Sequence, residues 1–284
     1  MNDRFGIGWR PELAAGILSN LDHIDIVEVI ADDYFDAPRP KRRALRTLAA
    51  QVPVALHGVT HGLASSIAID SKRLEQTARL VNEIQPECWS EHLAFVRAGG
   101  LEIGHLAAPP RTEATVEGAA RNLTAAKKIV GAMPLVENVT TLIDPPASKL
   151  SEADWTSEIL AAANSALLLD LHNLYANSVN FGFDPYAFIN RMPHEKIRAI
   201  HLAGGRWIKA KTTDERRLLD DHLHDVPDPV YELLKYVGQR TFRPLTVILE
   251  RDGRYPPIDM LLNQLDRARD ALRGGRAKQL SETA

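Results

Sequence analysis

Residues 167–173 read LLLDLHN, three aliphatic side chains in a row, then Asp170, and then His172 and Asn173 two and three places on. A short apolar run suits a strand covered on both faces, as in a parallel sheet flanked by helices. An acid and an imidazole at its end suit a strand that stops where chemistry begins. The same signature recurs on both sides of it. Upstream stand VALHG (54–58), SEHLAF (90–95) and LVENV (135–139), and downstream stand AIHLAG (199–204) and VILERD (247–252). Each carries a histidine or carboxylate near its C-terminal end: His57, His92, Glu137, Asp170, His201 and Glu250.

With two earlier runs, the chain offers eight strand-like segments: 5–9, 24–29, 52–58, 87–95, 134–139, 166–171, 197–203 and 245–251. Helical spacing fills the intervals at 11–21, 41–51, 71–84, 113–130, 151–163, 185–191, 229–238 and 258–273. Pro11 and Pro185 suit first helical turns, and Ser151 with Asp154 resembles a capping arrangement. Eight alternating βα units predict a single α/β domain, a (β/α)₈ TIM barrel over residues 1–275, followed by a polar frayed tail at 276–284. The connection from Gly204 to Val226 is predicted as a long irregular loop, and loops of that length in compact domains are usually functional.

The chain has 284 residues, 45% apolar and 25% charged, enough to fill a sizeable core. A formal charge of −3 argues against a long nucleic acid as the main partner. Cys88 is the only cysteine, so no internal disulfide forms. Neither a secretory core nor a run of about 18 apolar residues occurs, which leads to the expectation of a cytoplasmic protein with no membrane partner.

In such a barrel the active site lies at the C-terminal strand ends. Alternation puts His57, His92, Glu137, Asp170 and Glu250 on the face that would line the barrel interior. A lone strand-end histidine is more often a hydrogen-bonded structural residue than a ligand. Three carboxylates converging in a barrel mouth are different, because without cations their burial is costly. Few Lys or Arg stand at the strand ends, so metal ions are the economical answer. The connection adds LLDDHLHDVPDPV (218–230), where Asp220 and His222 stand two apart and could approach one ion; a solvated pair is the alternative. Imidazole and carboxylate without thiolate suit iron, manganese or zinc. Counting Asn173 and His172, ten candidates exceed what one ion needs, pointing to two or three ions sharing a carboxylate.

GIGWRPEL (6–13), VEVIADDYF (27–35), LHGVTHGL (56–63), SEHLAF, ENVTTL (137–142), LLDLHNLYANSVNFGFD (168–184), IHLAGG (200–205), DDHLHDVPDPV and ILERDGRYP (248–256), in this order, resemble the multinuclear non-heme iron-dependent oxidative enzymes that modify ribosomally made peptides. The resemblance covers nearly the whole chain. It implies an enzyme with two or three irons of mixed Fe²⁺/Fe³⁺ state and O₂ as co-substrate. His57, His92 and Glu137 would form one site, with Glu137 bridging to a second made by Asp170, His201 and Glu250. Asp220, His222 and Asn173 would form a looser third. It further implies a precursor peptide as substrate, typically modified at Cys, Asp or Asn, and a small leader-binding partner protein. The chain departs from the family at His172, which becomes an extra ligand or a donor behind one, at Gly205 and at Leu223–Val226.

Other functions remain in play on the same ligand order. One is a trinuclear zinc endonuclease-like phosphodiester hydrolase, another a sugar isomerase. A third is a module that binds metal or peptide without turnover. Open coordination positions and oxygen reactivity of the ferrous form separate the oxidative enzyme from the last.

Overall fold

The computed structural model describes residues 2–98, 100–209 and 216–283, with side chains to residue 279. In chain order the elements are β1 (Arg4–Gly8), α1 (Ala14–Leu18), β2 (Ile26–Ile30), α2 (Arg39–Ala49), β3 (Val54–Gly58), α3 (Ser71–Ile84), β4 (Cys88–His92), β5 (Phe95–Ala98), β6 (Leu101–Ala107), α4 (Glu113–Val130), β7 (Leu135–Glu137), α5 (Glu152–Ala163), β8 (Ala166–Asp170), α6 (Leu171–Phe181), α7 (Pro185–Arg191), β9 (Ile197–Leu202), β10 (Gly205–Lys209), β11 (Arg216–Asp220), α8 (Asp228–Arg240), β12 (Thr246–Leu249) and α9 (Ile258–Thr283). Eight parallel strands close into a barrel in the order β1-β12-β9-β8-β7-β4-β3-β2, the TIM-barrel fold that the alternating runs predict.

Backbone contacts divide the chain into two compact units. One unit, residues 26–139 and 145–168, contains β2, β3, β4 and β7 in parallel register. His57 stands opposite Ser90, and His92 opposite Glu137. Aliphatic side chains such as Val27, Leu56 and Val136 are buried in these strands, consistent with strands covered on both faces. Caps fix the helix starts: Asp70 accepts from Lys72 N–H at 2.9 Å, and Ser151 accepts from Asp154 N–H at 3.1 Å. The antiparallel pair β5–β6, inserted after β4, was not anticipated by the sequence reading.

The other unit, residues 1–25, 140–144 and 169–284, carries β1, β12 and β9. The predicted irregular connection at 204–226 contains an antiparallel strand pair, β10–β11; residues 210–215 lie outside the described residues. Asp220 ends a strand rather than lying in a loop, because residues 216–220 pair in antiparallel register with β10, Gly205 opposite Asp220 and Lys209 opposite Arg216. Helix α6 was also unanticipated; it begins immediately after β8 because Asp170 both ends the strand and caps the helix, accepting Asn173 N–H at 2.6 Å. Helix α9 continues through the predicted tail to Thr283. It does so because Gly275 lets it approach α8 closely, where a Cβ would lie 2.1 Å from Lys235 O, and because Arg276 pairs with Asp3 at 2.9 Å.

No helix among the described residues is long and apolar enough to cross a membrane.

Candidate metal centre

In the first unit, His57, His92 and Glu137 each offer a ligand atom, and these atoms lie within 4.8 Å of one another. All three residues are buried. His57 Nε2 stands 3.4 Å from Glu137 Oε2, and His92 Nε2 stands 3.6 Å from the same oxygen. The opposite nitrogens are anchored. His57 Nδ1 meets Ser90 Oγ at 2.8 Å, and that hydroxyl reaches Leu56 O at 3.4 Å, so the ring donates and Ser90 passes its own proton on. His92 Nδ1 meets Gly58 O at 3.2 Å and Glu91 Oε1 at 3.3 Å, and a carbonyl can only accept. Donation from both Nδ1 atoms leaves both Nε2 atoms as acceptors aimed at a carboxylate.

Three acceptors that converge in a buried place repel unless a cation sits among them. Ligands bound about 2.0–2.2 Å from one ion in a tetrahedron stand roughly 3.3 to 3.6 Å apart, which matches the spacings to Glu137. The residues therefore fit a metal ion by donor type and by spacing. Glu28, buried on β2, places a carboxylate oxygen within 4.8 Å of a His57 nitrogen and was missed by the sequence reading. The available signal was a lone charge in the middle of the apolar run IVEVI.

In the second unit, Asp170, His201 and Glu250 likewise bring ligand atoms within 4.8 Å of one another. His201 Nδ1 lies 3.0 Å from Glu250 Oε2. All three are buried at or just past the ends of β8, β9 and β12.

Asp220 and His222 also meet, with Asp220 Oδ2 2.9 Å from His222 Nε2. Yet His222 Nδ1 contacts Asp252 Oδ2 at 3.1 Å, and Asp252 is held in turn by Arg10 Nε at 2.9 Å. The second oxygen of Asp220 accepts from His172 Nδ1 at 2.7 Å. Burial works against the Asp220 charge, but His222 and the two imidazole hydrogen bonds outweigh it and lower its pKa to about 2. Burial likewise opposes a charged His222, while Asp220 and Glu250 outweigh that and hold it well above the ordinary histidine value. Among the described residues, no close group of three or more His, Cys, Asp or Glu includes Asp220 or His222. Asn173 is buried in the first turn of α6. His172 is fully buried, and its Nε2 has no hydrogen-bond partner among the described residues.

Glu91 was missed as well. It is completely buried, and burial would raise its pKa, but hydrogen bonds from His61 and His92 outweigh that and hold the carboxyl well below its usual range. The signal was its place inside a strand, where alternation turns it away from His92.

A closed parallel barrel with buried groups of histidine and carboxylate at its strand ends is a TIM-barrel protein whose residues could hold metal ions. The sequence profile of the RiPP precursor modification enzymes MbnB/TglH/ChrH matches residues 4–273, and the chain belongs to this family. The resemblance drawn from the motifs is thereby borne out at the level of the family. A UPF0276 protein of Caulobacter vibrioides is 30% identical over 280 residues, covering 98% of each chain. One from Streptomyces avermitilis is 34% identical over 276 residues, covering 94% of this chain and 54% of the relative, so this chain spans about half of that protein's length. Among solved structures, an L-ribulose 3-epimerase aligns with a TM-score of 0.61 at 16% identity, covering 99% and 98% of the two chains. Endonuclease IV from Thermus thermophilus aligns with a TM-score of 0.56 at 15% identity, covering 95% and 99%. Likeness at such identity shows the fold alone.

Proposed function

We propose that this chain is an O₂-dependent, multinuclear non-heme iron enzyme that oxidises a side chain of a ribosomally made precursor peptide, at Cys or at Asp or Asn. His57, His92 and Glu137 would hold one ion and Asp170, His201 and Glu250 a second, with Glu137 shared. Asp220, His222 and Asn173 would hold a third, with His172 as a donor behind Asp220. The observation that supports this most is the pair of buried strand-end groups, each combining imidazole and carboxylate without thiolate.

Iron would supply the one-electron chemistry and dioxygen activation that no side chain offers. The chain's own residues bind and orient. Ser90 and Gly58 fix the two imidazoles of the first group with their Nε2 atoms toward Glu137. Burial of every carboxylate in both groups limits bulk water at the ligands. A small leader-binding protein is the partner this reading calls for, and the cytoplasm is its place.

Protein produced with iron and purified without chelator should contain at least two irons per chain, and its anaerobic ferrous form should consume O₂. Zinc alone on elemental analysis, with no oxygen consumption regained on iron loading, would overturn the reading.

A further inference from the structure

Glu91 lies on β4 one residue before His92, so its side chain leaves the strand on the other face. It is nevertheless completely buried. Its two oxygens divide their work. Oε1 accepts from His92 backbone N–H at 2.8 Å and lies 3.3 Å from His92 Nδ1. Oε2 accepts from His61 N–H at 3.1 Å and from His61 Nδ1 at 2.7 Å. His61 is buried in turn, its Nε2 2.9 Å from Thr77 Oγ1 on α3. Space is reserved for this arrangement, since a Cβ on Gly58 would lie 2.8 Å from Glu91 Oε2. Gly58 also supplies the carbonyl that faces His92 Nδ1.

A charged residue in the layer between strand and helix costs stability unless its bonds serve something else. Here one oxygen holds His92, at its backbone N–H and its ring, and the other holds His61 in the same way. We propose that Glu91 is a positioning residue for the His57, His92 and Glu137 group: with Gly58 it keeps the proton of His92 on Nδ1, and through His61 and Thr77 it braces that choice against α3. The proposal rests on the metal-site reading of that group. A carboxylate behind an imidazole fixes its tautomer and raises its basicity as a ligand, and loss of such a partner typically costs about 10- to 100-fold in metal affinity.

The test has two arms. Nitrogen-15 NMR of the metal-free wild-type protein should show His92 protonated at Nδ1; a ring protonated at Nε2 alone overturns the proposal. The second arm is Glu91→Gln, which keeps the volume and removes the charge. It should lower ferrous-ion affinity of this group about 10- to 100-fold, leave the ion at Asp170, His201 and Glu250 in place, and raise the fraction of His92 protonated at Nε2. A folded Glu91→Gln protein with wild-type affinity and an unchanged tautomer contradicts it. Should that variant not fold, Thr77→Val is used, with a smaller shift of the tautomer expected and an unchanged tautomer counting against the bracing. Failure of the metal reading is distinguishable, because His57→Ala with His92→Ala would then leave metal content unchanged while the tautomer result stands.

Discussion

His92 and His222 are both imidazoles among carboxylates, yet they are held in opposite ways. His92 closes β4, with Nδ1 facing Gly58 O and Glu91 behind it and Nε2 directed at Glu137. His222 stands past the end of β11 with φ of +53°, a left-handed conformation that a non-glycine residue adopts at a cost, and both its nitrogens contact carboxylates, Asp220 and Asp252. His92 can present a lone pair to an ion without rearrangement. His222 must first give up a proton and one of its ion pairs. Preorganised ligands on barrel strands lose little entropy on binding, whereas ligands that must be released from other partners offset part of the binding energy. Two strengths of metal site are expected in one protein.

The comparison breaks first at Glu137, where the largest effect is expected. Glu137→Gln keeps the volume and removes the charge toward which the Nε2 atoms of His57 and His92 point. If Glu137 is shared, more than one ion per chain should be lost while the circular dichroism spectrum stays that of the folded barrel. Full metal retention with a normal spectrum would contradict the sharing. Glu250→Gln should have the next effect, the loss of one ion, because its carboxylate meets His201 at 3.0 Å and lies 3.8 Å from His222. A larger loss there would mean that the ions are partitioned differently.

Replacing Asp220 and His222 together with Ala should remove one weakly held ion and leave the strand-borne pair bound through dialysis. Loss of every ion would make the hairpin a structural lid for all sites. Loss of none would make these residues a largely buried ion pair that binds no metal, and the contrast between the two histidines would concern packing alone.

The barrel was legible because its strands advertise themselves: runs such as LLLD and AIHL are buried on both faces and end in chemistry, and the helix ranges 71–84, 113–130 and 185–191 coincide with those observed. Helix α6 was hidden because LHNLYANSVNF mixes three asparagines with aliphatic residues that read as the continuation of a strand end, and only the capping bond from Asn173 N–H to Asp170 reveals the turn. Hairpin β5–β6 was hidden for a different reason. Its second strand is largely exposed, so no buried face writes an alternation into the sequence. The strand-end ligand candidates followed from position alone. Glu28 and Glu91 did not, because their meaning lies in contacts with His57 and His61 from neighbouring segments, and a single sequence records neither.

The smallest expected effect sharpens the contrast without touching a ligand. Gly205 opens β10 and pairs with Asp220 across the hairpin. A Cβ there would lie 2.1 Å from Leu219 O and 2.7 Å from His172 Cε1. The first neighbour is backbone and the second a buried ring held on Asp220, so neither yields cheaply, and overpacking of this kind costs about 1–3 kcal/mol. Gly205→Ala should therefore push the hairpin strand and His172 apart and shift Asp220 with them. Binding of the hairpin-held ion should weaken several-fold, while the strand-borne ions and the metal-free circular dichroism spectrum stay as in the wild type. Ferrous-ion titration of the two proteins side by side measures this. Equal weakening of every site would show that the hairpin and the strand ends respond as one rigid frame, and the difference between His92 and His222 would then carry no difference in affinity.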